Sequence, residues 1–286
     1  ALDRYASRPR ADYGSFTGAD TGVACLCHLG LTLWLLGYPD QAKARLSEAL
    51  ALAEQLKHPY SQVFALSFAA WHHQYRRESE LTVHLAQQAR QAATEQKFEL
   101  LLPFSRIFQG WALVDQEEHE TGLTHLRQGL AAYLDTGAEL VQLHFLALLA
   151  DAYYQIGDVE AGLKILVEAI DLAKAKGERF YEAELYRLSG ELLRRQAPTR
   201  SEPHPEEAKA ELNFRKAIVV AQQQQAKSLE LRAAISLGRL WAGRGKVADA
   251  HGLLKSCCDW FTEGSDTPDR IIAQQLLEQW STETTR

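Results

Sequence analysis

The sequence predicts an all-α fold: a right-handed α-solenoid of about six helical hairpins, closed at its C-terminal end by a capping helix. Three observations predict it. Ala, Leu, Gln, Glu and Arg dominate the 286 residues, and all are good helix formers. Strand-like alternation is rare, and three of the 8 prolines crowd between Pro198 and Pro205, so long helices with short breaks account for the remainder. Small residues recur along the chain with a period of about forty, the mark of a stacked repeat.

The copies follow in order. In the first, Gly30 is an anchor, Gly37 lies in the turn, and Ala42, Leu46, Ala49 and Leu50 follow on the second helix. The stretch LGYPDQAKARLSEAL, Leu36 to Leu50, is therefore a turn and its following helix. The second copy has Ala70, Thr82, Ala86 and Ala89, and lacks a glycine in its turn. The third has Gly110, Gly122, Leu126, Gly129 and Leu130; the fourth has Ala150, Gly157, Gly162, Leu166, Ala169 and Ile170. The fifth, anchored at Gly190, reaches Ala210, Phe214, Ala217 and Ile218 only if about eight residues are inserted in its turn. The sixth has Gly238, Gly245, Ala250, Leu254, Cys257 and Cys258.

The spacing has a physical reason. A small anchor lets the two helices of a hairpin approach, and a larger side chain on the second helix fills the gap between repeats. One hairpin cannot cover its own apolar face, so neighbours must stack. The pattern is that of tetratricopeptide repeats with longer helices. Residues 1–22 form a lead-in that reads as the remnant of an earlier repeat. Residues 23–262 hold the six repeats, with the insertion near 196–207 an exposed loop. Residues 263–286 form the cap and tail, with Asp266 or Thr267 as N-cap and Pro268 in the first turn.

Composition excludes several classes. Hydrophobic residues make up 46% and charged residues 24%, with a formal net charge of -6, which argues against direct nucleic-acid binding. No run of 18 apolar residues could span a membrane, and the opening ALDRYASRPR has no signal-peptide core. Four cysteines in so long a chain suit a reducing cytoplasm better than a disulfide framework. The sequence has no Met at all, which points to a segment of a longer protein.

Helical periodicity separates two arcs of each first helix. Offsets −4, −1, 0 and +3 from the anchor, such as Leu26, Leu29, Leu33, Leu146, Leu149 and Tyr153, belong to the packed side. Offsets −6, −3, +1, +4 and +5 face a concave groove. They give Cys27, Leu31 and Trp34, then Phe64, Trp71, Gln74 and Tyr75, then Phe104, Ile107, Trp111 and Asp115. Further on they give His144, Asp151, Tyr154 and Gln155, then Glu184, Arg187, Glu191, Arg194 and Arg195, and finally Arg232 and Arg239. The N-terminal half of this stripe is aromatic and the C-terminal half charged, and aromatics and Arg are the side chains that anchor interfaces. The expectation is a groove for a protein or peptide partner. A small-molecule inducer is the alternative occupant, and core packing of the aromatics is the competing explanation of the stripe.

Chemistry is not announced elsewhere. Adjacent His72 and His73 diverge by about 100° on a helix and cannot share a metal unaided, and His73 falls on the packed side. Cys25 with Cys27, and Cys257 with Cys258, lack the CxxC spacing of zinc sites, and the second pair occupies small-apolar positions of the repeat. His119 and His125 lie in a turn and at the start of a solvated helix. The Gln222–Gln225 run is a polar face near a helix end. No GxSxG or GxxxxGK[ST] is present. No catalytic residue, metal ligand or cofactor is expected, and a hydrolase built on helical repeats is the weakest reading.

Several stretches carry a resemblance. LLGYPDQA (Leu35 to Ala42), LRQGLAAYLDTGAEL (Leu126 to Leu140), YEAELYRLSGELL (Tyr181 to Leu193), AKSLELRAAISLGRLW (Ala226 to Trp241) and WFTEGSDTPD (Trp260 to Asp269) resemble the C-terminal tetratricopeptide region of large bacterial multidomain regulators. In those proteins a STAND-type ATPase lies upstream, preceded by an adenylate/guanylate cyclase or transcription-activator domain. The resemblance implies a non-catalytic sensor or scaffold segment. It would bind an inducer or partner, or the upstream ATPase of its own chain, and restrain or release that output. Self-association through uncapped ends is a further expectation.

Overall fold

The computed structural model describes residues 18–196 and 205–284. These form thirteen helices with no strand among them: α1 (Thr21–Leu35), α2 (Pro39–Leu56), α3 (Pro59–Tyr75), α4 (Ser79–Gln96), α5 (Leu102–Asp115), α6 (His119–Asp135), α7 (Gln142–Ile156), α8 (Val159–Lys176), α9 (Glu182–Gln196), α10 (Pro205–Gln223), α11 (Lys227–Gly243), α12 (Val247–Cys258) and α13 (Pro268–Thr284). The fold is an all-α solenoid of tetratricopeptide-like hairpins, α1/α2 through α11/α12, followed by α13. The described residues divide into two compact units, the first holding 18–34 and 38–140, the second 35–37, 141–196 and 205–284.

The anchors act as close-approach points. A Cβ on Gly30 would lie 2.6 Å from Leu46 Cγ, and one on Gly110 would lie 2.7 Å from both the Gly122 oxygen and the Leu126 nitrogen. One on Gly190 would collide with the Phe214 ring. Leu46 and Phe214, whose side chains fill two of these hollows, are buried, as are Ala86, Leu126, Leu166 and Leu254 at the same position of the other copies. On Gly238 the hollow is filled instead by Trp280 of α13, which would approach an added Cβ to 2.8 Å. Trp280 packs there with Leu231, Ile235, Ala250 and Leu254, so α13 does cover the last hairpin.

Two left-handed backbone positions recur along the described hairpins. Seven residues after the anchor, the backbone is at positive φ in Gly37, Arg77, Glu117, Gly157 and Gly245. At the end of the second helix the same conformation recurs in Lys57, Lys97, Gly137, Gly177 and Gln225, and Gly264 adopts it in the segment between α12 and α13. Glycine takes φ > 0 freely, and other residues do so at a cost. The second copy therefore keeps the turn without its glycine. Its geometry is held by the Glu78 N–H donating to the His73 carbonyl at 2.9 Å, as Glu118 N–H donates to the Leu113 carbonyl at 2.8 Å in the third copy. Lys57, Lys97, Gly137 and Gly177 lie twenty-seven residues beyond their anchors. Gln225 lies thirty-five beyond Gly190, and 35 − 27 = 8 is the length of the insertion.

Three details differ from the sequence expectation. Pro205, Glu206 and Glu207, read as the end of the inserted loop, open α10, and Glu207 pairs with Arg244 at 3.0 Å. Of the insertion, residues 197–204 lie outside the described residues, as do residues 1–17 of the lead-in. Leu29, placed on the packed side, is 36% exposed. Thr267, offered as an N-cap, instead donates its hydroxyl to the Gly264 carbonyl, with Pro268 opening α13 as expected.

Candidate partner-binding face of the first helices

Buried polar side chains are not spread evenly through this fold. His72 and Gln74 lie on α3, Gln109 on α5, His144 on α7, Glu184, Arg187 and Glu191 on α9, and Glu230, Arg232 and Ser236 on α11. All are first helices of their hairpins. The second helices bury small, aliphatic and a few aromatic residues, such as Tyr133 and Phe214, with Thr82 and the Tyr133 hydroxyl the polar exceptions among the described residues. A buried charge costs several kcal/mol unless it is paired and hydrogen-bonded. The first helices therefore carry a costly composition that stacking alone does not require.

In the first unit the stripe is aromatic and close-packed. Trp34 of α1 stacks on Tyr75 of α3 with ring centroids 4.4 Å apart. Tyr75 meets Trp71 edge-on at 5.9 Å, and Trp71 reaches Phe108 of α5 at the same distance. Phe64 and Phe68 stack at 4.4 Å. Trp34, Phe64, Trp71, Gln74, Tyr75 and Trp111 are all buried, whereas Asp115 is exposed. The Gln74 and Gln109 side-chain oxygens, and both ring nitrogens of His72, have no hydrogen-bond partner among the described residues. Burial, with help from His73, Arg76 and Lys43, pushes the His72 pKa down to about 3, so the ring stays neutral. His73 is half-exposed and bonds Glu78 through Nδ1.

In the second unit the stripe is a charged lattice laid out by the repeat. His144, Glu184 and Arg232 each stand six residues before their anchors, on α7, α9 and α11. They form one row: His144 feels both Glu184 and Arg232, and Arg232 feels Glu184. Arg187 holds Glu184 in a bidentate pair, Nε to Oε2 at 2.8 Å and Nη2 to Oε1 at 2.7 Å. Its other nitrogen stands 3.8 Å from Glu191. Glu191 accepts the Ser236 hydroxyl at 2.7 Å and the Arg194 Nε at 3.2 Å. Arg232 donates its Nε to Asp269 of α13 at 2.7 Å. Asp151 and Tyr154 of α7 are half-buried; Asp151 accepts from Gln155, and Arg195 lies over the Tyr154 ring at 4.3 Å.

Electrostatics keep this lattice ionised. Burial alone would lower the Arg187 pKa, but Glu184, Glu191 and Asp151 outweigh it and raise it. Arg232 is raised in the same way, by Asp269 first and then Glu184. Burial lowers His144 to about 3 despite Glu184, leaving a neutral imidazole edge-on to Tyr181 at 4.5 Å. The thiols are the opposite case. Burial pushes Cys257 up to about 12 and raises Cys27, so both stay protonated and unreactive. Among the described residues no group of three or more His, Cys, Asp or Glu is placed to hold a metal, and no helix is long and apolar enough to cross a membrane. The lattice pairs its own buried charges, and Asp151, which acts on Arg187, and Tyr154 are its half-buried neighbours on α7.

Ser236 and Asp269 escaped the sequence reading. Ser236 lies on neither arc used to sort the first helices, and Asp269 belongs to the cap, to which the repeat register does not extend.

No protein-family model matches the chain. It is 28% identical over 242 residues to uncharacterized protein R02095 of Rhizobium meliloti (strain 1021), a match that covers 83% of this chain. The chain spans about a fifth of that relative, 22% of its length. Among solved structures it is similar in fold to a Rap protein complexed with competence and sporulation factor, with a TM-score of 0.62 at 14% identity, covering 99% of this chain and 79% of that one. It is also similar to the apo form of RapI, with a TM-score of 0.52 at 11% identity, covering 91% and 96%.

Proposed function

We propose that this chain is a non-catalytic regulatory segment of a larger signalling protein, and that the first helices of its second unit bind a protein or peptide partner to control an attached ATPase or output domain. The observation that carries this reading is the buried lattice of Glu184, Arg187, Glu191, Arg232 and Ser236, laid along the successive first helices α9 and α11 and tied to Asp269 of α13. A stack selected for stability alone would place Leu or Ile there. The likeness in fold to a Rap protein solved with a bound factor supports the reading by analogy, as does a relative several times longer than this chain. The resemblance to regulators with an upstream STAND-type ATPase supplies the output end of the proposal.

The test uses the half-buried members of the face, whose substitution spares the core. A displayed random-peptide library is selected on the wild-type chain. The enriched peptides are then measured against Asp151→Asn and Tyr154→Ala, with circular dichroism as the fold check. The expected result is at least a tenfold loss of affinity in both variants. Peptides that bind wild type and both variants equally would remove this face from the function.

A further inference from the structure

A cavity of about 730 Å³ opens in the first unit. It lies where the C-terminal ends of α4 and α6 meet the start of α5. Arg90 of α4 and Arg106 of α5 line it together with Leu100, Leu102, Pro103 and Ala132. The volume falls within the usual range of small-ligand sites, about 300–1,000 Å³.

The arginines are placed as an anion receptor. Neither forms an ion pair with any carboxylate among the described residues. Arg106 donates only to the neutral Gln128 side chain, at 3.3 Å, and the buried Arg90 Nε has no acceptor. A neutral histidine lies close to both. His125 of α6 has its pKa lowered by burial, then by Arg106 and Arg90, with no carboxylate acting in the other direction. Its Nδ1 also lacks a partner. Three helices thus bring two arginines and a histidine to one region where neither arginine meets a carboxylate and the Arg90 Nε and His125 Nδ1 have no partner. Buried donors in that state are costly, and a bound anion relieves them.

The remaining lining sets the rest of the ligand. Leu100, Leu102, Pro103 and Ala132 provide an apolar wall, and Leu100 is exposed at 46%. Glu99 and Asp135 also line the cavity and are exposed. Two carboxylates beside the site disfavour a ligand with several negative charges.

We infer that this cavity binds a small amphiphilic monoanion, a single carboxylate held by Arg90 and Arg106 with an apolar chain against Leu100, Leu102 and Pro103. The carboxylate could be that of a free organic acid or that of a peptide C-terminus, and both present the same chemistry to the arginines. The site is separate from the partner-binding face, and its failure would leave that proposal standing.

The experiment is calorimetric titration of the whole chain with octanoate, N-acetyl-leucyl-leucine, 1-octanol and inorganic phosphate. Wild type is compared with Arg90→Gln and Arg106→Gln, both half-exposed positions that circular dichroism will show to be folded. Expected is binding of octanoate or the acetylated dipeptide, whichever source fits, weakened at least tenfold in each variant. The neutral alcohol and phosphate should bind at least tenfold more weakly than that carboxylate. Absence of binding by both carboxylates overturns the inference. So does binding that neither variant changes, or phosphate binding as tightly as the chain-bearing acids.

Discussion

His72 shows how one residue couples this fold to pH. It is 1% exposed, with neither ring nitrogen hydrogen-bonded, and its pKa falls from 6.5 to about 3 through burial, His73, Arg76 and Lys43, against Glu78. The folded state therefore refuses a proton that the unfolded chain accepts below about pH 6.5. Its contribution to stability is complete above that pH and is lost progressively as pH falls toward 3. Glu78 acts in a lower window. Burial would raise its pKa, but the His73 and Arg76 hydrogen bonds and charges bring it to about 2, so its contribution is lost between about 4.5 and 2. A comparison at pH 7 and pH 5 isolates the histidine. His72→Leu is expected to lose about 2 kcal/mol less than wild type over that interval, read from urea unfolding. At pH 7 the variant should be no less stable, since it removes two unpaired buried polar atoms. An unchanged pH dependence would mean that His72 is solvated in the folded state.

At the level of the element, the repeat is a pair of helices with two left-handed corners, and glycine is optional at each. Glu117 sits at φ 68 in the α5–α6 turn, where the first, fourth and sixth copies have Gly37, Gly157 and Gly245. Its side chain is exposed. Glu117→Gly is therefore expected to raise stability by about 1 kcal/mol, the cost of holding an L-residue in that region, and to raise the melting temperature. A fall would show that the Glu117 side chain does something the backbone does not require. The same corners explain what the sequence allowed to be read. Hairpins, period, insertion length and cap were legible because Gly30, Gly110 and Gly190 each mark a contact that admits no Cβ. The rows of the stripe were legible too, since offset alone brings His144, Glu184 and Arg232 together. Whether Trp34 and Tyr75 face solvent or each other was not, because a helical arc does not reveal what a neighbouring helix covers. The cavity at Arg90 and Arg106 was invisible for a related reason. It is assembled from three helices, and Arg106 stands four residues before its anchor, on the arc read as packed.

Across the chain, stability in a repeat stack is a sum of hairpin and nearest-neighbour terms, so a lesion at one end should decay with distance. Trp280 provides the test within the second unit. It is 2% exposed, fills the hollow over Gly238 and belongs to the cluster that joins α11, α12 and α13. Trp280→Ala removes about 3–5 kcal/mol of packing by the usual range for such truncations. It also loosens the helix that carries Asp269, the carboxylate paired with buried Arg232. Hydrogen exchange of the variant should accelerate most in α11, α12 and α13, less in α9 and α10, and least in α7 and α8. The charged lattice then loses order from the cap inward, and peptides that rely on Arg232 should weaken before those that rely on Tyr154. Uniform acceleration from α7 to α13 would instead mean that the second unit opens as one cooperative block. In that case the lattice would bind a partner all at once rather than row by row.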